Sequence, residues 1–163
     1  MPKIGMRMIK SSLAVLLCFV IYFIRGEGMP FYSAIAAILC MQPYVSNSLK
    51  AAETRTVGTI VGGLFGMVVL VLSRKWIPAN WDMLYYFIIS LCIIPLIYLT
   101  VIFKKTQASY ITCVVFLSVT VTHVVDVNPY TFALNRILDT LIGIAVSLGV
   151  NVCFFPKKEN QGS

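Results

Sequence analysis

The sequence RTVGTIVG at residues 55–62 returns at residues 136–143 as RILDTLIG, and these two segments, the first and second cassette, decide the fold. The match extends outward, because an asparagine precedes each cassette arginine by eight residues and Ala52 is matched by Ala133. Each copy of this internal repeat contains three apolar stretches, so the second copy must enter a membrane from the side opposite to the first. The sequence therefore predicts an all-α membrane protein with six transmembrane helices, arranged as two inverted three-helix repeats.

The composition excludes an ordinary soluble domain. Apolar residues make up 59% of the chain and charged residues only 12%, against roughly a quarter charged in a typical soluble protein. A formal net charge of +7 is compatible with a nucleic-acid-binding protein. However, the charged residues cluster between apolar stretches and form no basic stripe with aromatic residues. We expect the lipid bilayer to be a partner and nucleic acid not to be one.

Six apolar stretches are the predicted spans of a single transmembrane domain covering residues 1–163. A bilayer core about 30 Å thick requires about 20 helical residues, so the last four stretches are long enough and the first two are marginal. Lys10 and Arg25 bracket the first stretch and can extend it by snorkelling outward. The second opens with Pro30; we predict a full span, with a half-inserted helix as the alternative. The stretches are 11–24, 29–45, 56–73, 83–103, 106–125 and 137–155, with repeat one at about 8–73 and repeat two at about 83–155.

The distribution of basic residues predicts the orientation. With the N-terminus inside, nine of the 13 basic residues are cytoplasmic and four are external, which favours both termini in the cytoplasm. Trp76 and Trp81 then fall in an external loop, where indole rings favour the headgroup level. The cytoplasmic set is Lys3, Arg7, Lys10, Lys50, Arg55, Lys104, Lys105, Lys157 and Lys158, and the external set is Arg25, Arg74, Lys75 and Arg136.

Nucleophiles, histidine and acids do not form a catalytic set. The five cysteines all lie in predicted spans without Cys-x-x-Cys spacing, and we interpret them as packing residues. His123 is the sole histidine, so a metal enzyme is improbable; it is either an interfacial polar residue or a group that handles protons. Among the six acidic residues only Asp139 falls clearly inside a span. We expect no enzymatic activity, no metal and no cofactor.

Glycines in the cassettes predict close helix packing. Gly58, Gly62 and Gly66 recur every four residues, which draws a stripe without side chains along one face of the third span. Another helix backbone can approach closely along such a stripe. In the second cassette Gly143 takes the position of Gly62, and Asp139 takes that of Gly58. Close packing of the third span against the sixth is one arrangement in which the stripes of both cassettes would be in contact.

The two cassette arginines have two competing interpretations. A guanidinium keeps its charge and costs about 2.5 kcal/mol or more at the centre of a membrane helix, so we expect Arg55 and Arg136 to lie near water at opposite membrane faces. Asp139 can pair with Arg136 at i, i+3. The arginines are then either interfacial anchors, or one arginine at each end of a path that attracts an anion. Thr59 and Thr140, at equivalent cassette positions, would add polar lining.

Several segments together resemble the membrane domain of bacterial aromatic acid exporters. These segments are KIGMRMIK at 3–10, FYSAIAA at 31–37, MQP at 41–43, the first cassette and NRILDTLIG at 135–143. The exporters belong to the wider fusaric acid resistance superfamily, to which plant aluminium-activated malate channels are related. The resemblance implies efflux of aromatic or other organic carboxylates by a homodimer in the bacterial inner membrane, with Arg55 and Arg136 as anion-attracting positions. Full-length relatives usually continue into a cytoplasmic helical domain, so we expect a further C-terminal domain to be missing here.

Two alternatives to a coupled exporter stay open on the sequence alone. One is a passive organic-anion channel of the same fold. The other is a membrane scaffold without transport activity, in which the glycine stripes merely join helices or subunits. The chain has no nucleotide-binding motif, so active transport would have to use an ion gradient or another subunit.

Overall fold

The computed structural model describes residues 5–26, 28–76, 82–122 and 129–153. Within these ranges the chain forms helices and no strand, which confirms the all-α class. The helices are α1 (Met6–Arg25), α2 (Pro30–Cys40), α3 (Val45–Trp76), α4 (Asp82–Ile102), α5 (Ser109–Thr122) and α6 (Pro129–Cys153), and a 3₁₀ turn at Thr106–Ala108 precedes α5. The predictions for Lys3, Trp81, His123, Lys157 and Lys158 lie outside the described residues.

Helix lengths divide the six helices into two classes. In the described part of the chain, α1, α3, α4 and α6 are long and apolar enough to cross a membrane. The other two helices, α2 and α5, have 11 and 14 residues, which at 1.5 Å per residue is about 17 and 21 Å. Helix α2 is shorter than a bilayer core of about 30 Å, and so is the described part of α5, which reaches the end of a described range at Thr122. The inverted arrangement of the two repeats stays a prediction.

The fifth stretch, 106–125, runs past Thr122 into residues outside the described ranges, so its full length stays a prediction. That stretch begins as the 3₁₀ turn, which follows Lys104 at a positive φ of 54°, and only then becomes α5. The second stretch was marginal on the sequence, and its helix ends at Cys40 with Met41 in an extended conformation. Pro43 accounts for the early end, because a proline has no N–H for the helix and disfavours helical geometry at the residue before it.

The chain separates into two compact units. The first comprises residues 1–53 and 138–163 and contains α1, α2, the start of α3 and most of α6. Small side chains dominate its core, which allows the helices to approach closely. The buried core residues are Ala14, Cys18, Ala37, Met41 and Val150, together with a second cluster of Ala36, Cys40, Ala52 and Ile144.

The second unit, residues 54–137, contains the rest of α3, all of α4 and α5, and the start of α6. Its core has larger side chains, among them Phe116 and Leu96, both fully buried. The buried hydroxyl of Tyr85 on α4 donates a 2.6 Å hydrogen bond to the carbonyl oxygen of Thr120 on α5. Helix α4 continues through Pro95.

Large apolar side chains cover much of the outer surface of both units. Phe23 and Ile24 are more than four-fifths exposed in the first unit, and Met83 and Tyr110 are among the most exposed in the second. Soluble monomers rarely expose apolar patches of this extent, whereas a surface that faces lipid must be apolar. Together with the four long helices, this surface identifies a multi-pass membrane protein.

Candidate functional site

The glycines of the first cassette, together with Gly66, face α5 and the turn that precedes it. A Cβ atom placed on Gly58 would lie 3.0 Å from the Cβ of Ile111, and one placed on Gly66 would lie 3.2 Å from the Cβ of Val119. At Gly62 the added atom would overlap the backbone carbonyl of Thr112. The backbone of α5 therefore lies directly against the stripe of α3 that lacks side chains.

In the first unit, Gly143 of the second cassette makes the equivalent contact with α2. A Cβ atom placed there would overlap the carbonyl oxygen of Ser33 and would lie 2.8 Å from the Cβ of Ala36. Hence each cassette has one glycine whose hydrogen faces a backbone carbonyl in a short helix. In the second unit, Gly63 also faces the side chain of Ile137 on α6, at 3.2 Å.

The helix content of the two units shows an exchange between the repeats. The first unit joins α1 and α2, from repeat one, to α6, the third helix of repeat two. The second unit joins α4 and α5, from repeat two, to α3, the third helix of repeat one. In each case the exchanged helix carries a cassette and packs through its glycine on the middle helix of the other repeat. In the described part of the chain, the two middle helices, α2 and α5, are also the two shorter ones.

The second unit holds three of the predicted substrate-binding residues. Arg136 is only 8% exposed, and its Nε donates a 3.3 Å hydrogen bond to the hydroxyl of Ser118 on α5. Arg136 is thus buried within this unit, and its place near a membrane face stays a prediction. Arg55 is partly exposed on α3. Thr59 is buried, and its hydroxyl has no hydrogen-bond partner among the described residues.

Asp139 and Thr140 belong to the first unit, and both are buried. The Oδ1 atom of Asp139 accepts a 2.7 Å hydrogen bond from the guanidinium of Arg25, with which it forms an ion pair. Its Oδ2 atom accepts a 2.8 Å hydrogen bond from the backbone N–H of Met29, just before α2 begins. Gly28 has a φ of 92° and lies against the same carboxylate. A pair between Asp139 and Arg136 stays a prediction.

A second polar cluster lies at the other end of α2. The ammonium of Lys10 donates to Oδ1 of Asn151 at 3.0 Å. The Nδ2 atom of Asn151 donates to the hydroxyl of Ser48 at 2.8 Å and to the carbonyl of Gln42 at 3.1 Å. Arg7 donates to the carbonyl of Met41 at 3.0 Å, where α2 ends. Two cations thus lie near the C-terminal end of α2 and one carboxylate at its N-terminal end, as the helix dipole favours.

These contacts correct the interpretation of Lys10 and Arg25 as snorkelling residues. Lys10 is 8% exposed and Arg25 is largely buried, because each side chain turns toward a polar partner on α6. Sequence reasoning missed Arg25, Lys10 and Asn151 as partners. One signal was present: Asp139, Gly143, Ser147 and Asn151 follow one another at intervals of four, which places them on one face of α6.

In the part of the chain that the structure describes, no group of three or more His, Cys, Asp or Glu side chains is placed to bind a metal ion. All five cysteines are free thiols. The polar clusters at the two ends of α2 therefore stay the candidate functional sites of the first unit.

The chain matches the model of a known protein family. The model of a family described as fusaric acid resistance protein-like matches residues 16–150. The matched region begins within α1, ends within α6, and includes both cassettes. No curated protein and no solved structure matched the chain.

Proposed function

Because the chain belongs to the fusaric acid resistance protein-like family, a family of membrane transporters, we propose that it exports aromatic or other organic carboxylates. The proposed location is the bacterial plasma membrane, with both termini in the cytoplasm and a homodimer as the working unit. The anionic substrate and the path are supported by the geometry of the shorter helices and by the buried charges.

One observation carries the proposal. Within the described residues the two shorter apolar helices are α2 and α5. They occupy corresponding positions in the two repeats, and each packs on a cassette glycine. Interrupted or unusually short segments at corresponding positions are the best indication of a transporter's substrate site, since their ends bring backbone dipoles into the membrane. A scaffold needs no such paired interruption, because full-length helices join one another equally well.

The charges inside the protein favour an anion over a cation. Lys10, Arg25 and Arg136 are buried or largely buried, whereas Asp139 is the only acidic residue among the buried residues that the structure describes. An intramembrane ionisable residue is expensive and usually marks a substrate or ion path. Positive side chains in such a path select anions. A passive anion channel shares all of these features and is the second candidate.

Flux into liposomes tests the proposal and separates its two forms. Purified protein in proteoliposomes should take up labelled benzoate faster than protein-free liposomes, and benzamide, which has the same shape but no charge, should show no such difference. Under the same pH gradient, uptake that is more concentrative than in protein-free liposomes identifies coupled transport, and faster equilibration alone identifies a channel. Equal benzoate entry with and without protein would contradict both the coupled transporter and the channel. The remaining interpretation would be a membrane scaffold without transport activity.

The cassette arginines are tested in the same assay. Arg55→Gln and Arg136→Gln should each lower benzoate flux by about tenfold, which is about 1.4 kcal/mol, because each change removes one positive charge from the proposed path. Glutamine at position 136 can still donate to Ser118, so the packing of α5 is preserved. Lysine variants should restore part of the flux, since lysine keeps the charge without the planar fork of donors. If both glutamine variants show the parental flux, the arginines are interfacial anchors and take no part in anion transport.

The proposed orientation has a separate test. In a background with Cys153→Ser, a cysteine at Gln107, an exposed position in the turn before α5, should be labelled by a membrane-impermeant maleimide only from the cytoplasmic side. A cysteine at Lys75, exposed near the end of α3, should be labelled only from outside. The reverse pattern would overturn the orientation while leaving the fold unaffected.

A further inference from the structure

Lys10 places a positive charge within the apolar part of the first unit. The residue is only 8% exposed, and its ammonium donates to Asn151, which is 1% exposed. Helix α1 is long and apolar enough to span a membrane. Met6, Met8 and Ile9, which precede Lys10, are more than half exposed, so the apolar outer surface of α1 continues past the level of Lys10. An ionisable residue at such a depth is costly and usually marks a substrate or ion path.

The two repeats can be aligned at their first helices, α1 and α4. Arg7 and Tyr85, early in these helices, each donate a hydrogen bond to a backbone carbonyl toward the C-terminal end of the middle helix of their own repeat. Gly26 and Lys104, soon after the two helices end, each have a positive φ, of 69° and 54°. These two markers have the same spacing in both repeats. The contacts and the backbone therefore agree on one register.

In this register, apolar residues take the places of both partners. Ile88 on α4 corresponds to Lys10 and is partly buried. Leu70 on α3 corresponds to Asn151, since each follows the last glycine of its cassette by eight residues, and Leu70 is fully buried. The second unit thus packs the same kinds of helices with apolar side chains at this place. Replacing a buried polar pair with apolar residues is often neutral or stabilising, so fold stability does not account for the charge of Lys10.

We propose that Lys10 is a selectivity residue of the transport path. Its ammonium binds the carboxylate of the organic anion as the anion passes through the first unit. The inference rests on the proposed function and deepens it, because it names a charge that selects anions and a unit that contains part of the path. On the proposed orientation Lys10 lies toward the cytoplasm, where an exported anion enters. Lys10 then acts in addition to the two cassette arginines.

Asn151 is a suitable partner for a lysine that takes up and releases an anion. Its Oδ1 atom belongs to a neutral amide, which attracts an ammonium less strongly than a carboxylate does. A substrate carboxylate therefore displaces the amide oxygen. Hydrogen bonds to Ser48 and to the carbonyl of Gln42 hold Asn151 in place, so its oxygen receives the ammonium again when the anion leaves. Arg7, an exposed residue one turn before Lys10, adds a second positive charge at the same end of α2.

Benzoate flux in proteoliposomes tests the role of this charge, with the unfolding temperature in detergent measured on the same preparations. Lys10→Gln removes the positive charge but keeps an N–H donor for Asn151, so the fold should be retained. We expect the benzoate flux to fall by at least about tenfold, while the unfolding temperature stays close to the parental value. Lys10→Arg keeps the charge and should retain most of the flux.

Lys50→Gln is the matched control, because Lys50 is an exposed lysine of the same unit and its loss changes the net charge equally; the flux should stay parental. If Lys10→Gln does not fold, Lys10→Ile combined with Asn151→Leu, which installs the residues of the second repeat, should fold and show the same loss of flux. Parental flux in a folded variant without the lysine, or an equal loss in Lys10→Arg, would overturn the role of the charge. Failure of both variants to fold would show that the pair serves stability and would overturn it too. A parental protein that moves no benzoate would contradict the proposed function, and this inference with it.

Discussion

Gly143→Ala should prevent the first unit from folding. The added methyl group would overlap the carbonyl oxygen of Ser33 and press on the Cβ of Ala36, so α2 would have to move away from α6 as a whole. Overpacking usually costs about 1–3 kcal/mol, and we expect about 3 kcal/mol or more here because a backbone, and not a flexible side chain, blocks the site. The measurement is the yield of monodisperse protein in detergent, together with its unfolding temperature.

The matched control lies on the same helix. Gly149 is exposed, and a Cβ atom placed on it meets nothing within 4 Å, so Gly149→Ala should fold normally or gain slightly from the helix propensity of alanine. Gly62→Ala should behave like Gly143→Ala, because its added atom meets the carbonyl of Thr112. Normal yield and stability in both cassette variants would show that the close helix contacts are not required.

Asn151→Leu should destabilise the first unit by about 3 kcal/mol or more. Asn151 is 1% exposed and uses both ends of its amide, accepting from Lys10 and donating to Ser48 and to the Gln42 carbonyl. Leucine has a similar volume, so it fills the space but leaves these polar groups without one of their partners. Reversible unfolding in mixed detergent measures the loss.

A double variant separates polar pairing from packing. Replacing both partners of a buried polar pair with apolar residues costs less than removing one. Lys10→Met combined with Asn151→Leu should therefore be more stable than Asn151→Leu alone, with a coupling of at least about 1 kcal/mol. If the two losses simply add, Lys10 draws no stability from Asn151, and the cluster at the C-terminal end of α2 is incidental.

Local patterns in the sequence were sufficient to predict the helices. A long apolar stretch bounded by charge has few alternatives in a membrane, because all of its backbone groups must be satisfied internally. The glycines at intervals of four also indicated a face for close packing, although not its partner. The end of α2 was harder to predict, since apolar composition continues past Cys40 and the extended backbone at Met41 ends the helix. The start of α5 was harder to predict because residues 106–108 form a 3₁₀ turn after Lys104, at a positive φ.

The polar partners could not be predicted from spacing along one helix. Arg25 and Asp139 are 114 residues apart, and Lys10 and Asn151 are 141 apart. Local reasoning assigns Asp139 to Arg136, one turn away, and sends Lys10 and Arg25 outward to water. Which helix packs beside α1 determines the partners, and the sequence offers only the interval of four on α6 as an indication. The assignment of Arg55, Arg136, Thr59 and Thr140 to substrate binding stays a prediction.

The exchange of third helices between the repeats has a consequence for synthesis on the ribosome. The first unit needs α6, which emerges after all the other helices, and the ion pair of Arg25 waits for a residue 114 positions later. At about 5–20 residues per second, that interval lasts roughly 6–23 seconds. During this time α1 and α2 stand in the bilayer without the residues that neutralise and cap them. A nascent chain halted before α6 should therefore be recognised by membrane quality-control proteases as unfinished, even though three of its four long apolar helices, α1, α3 and α4, are already inserted.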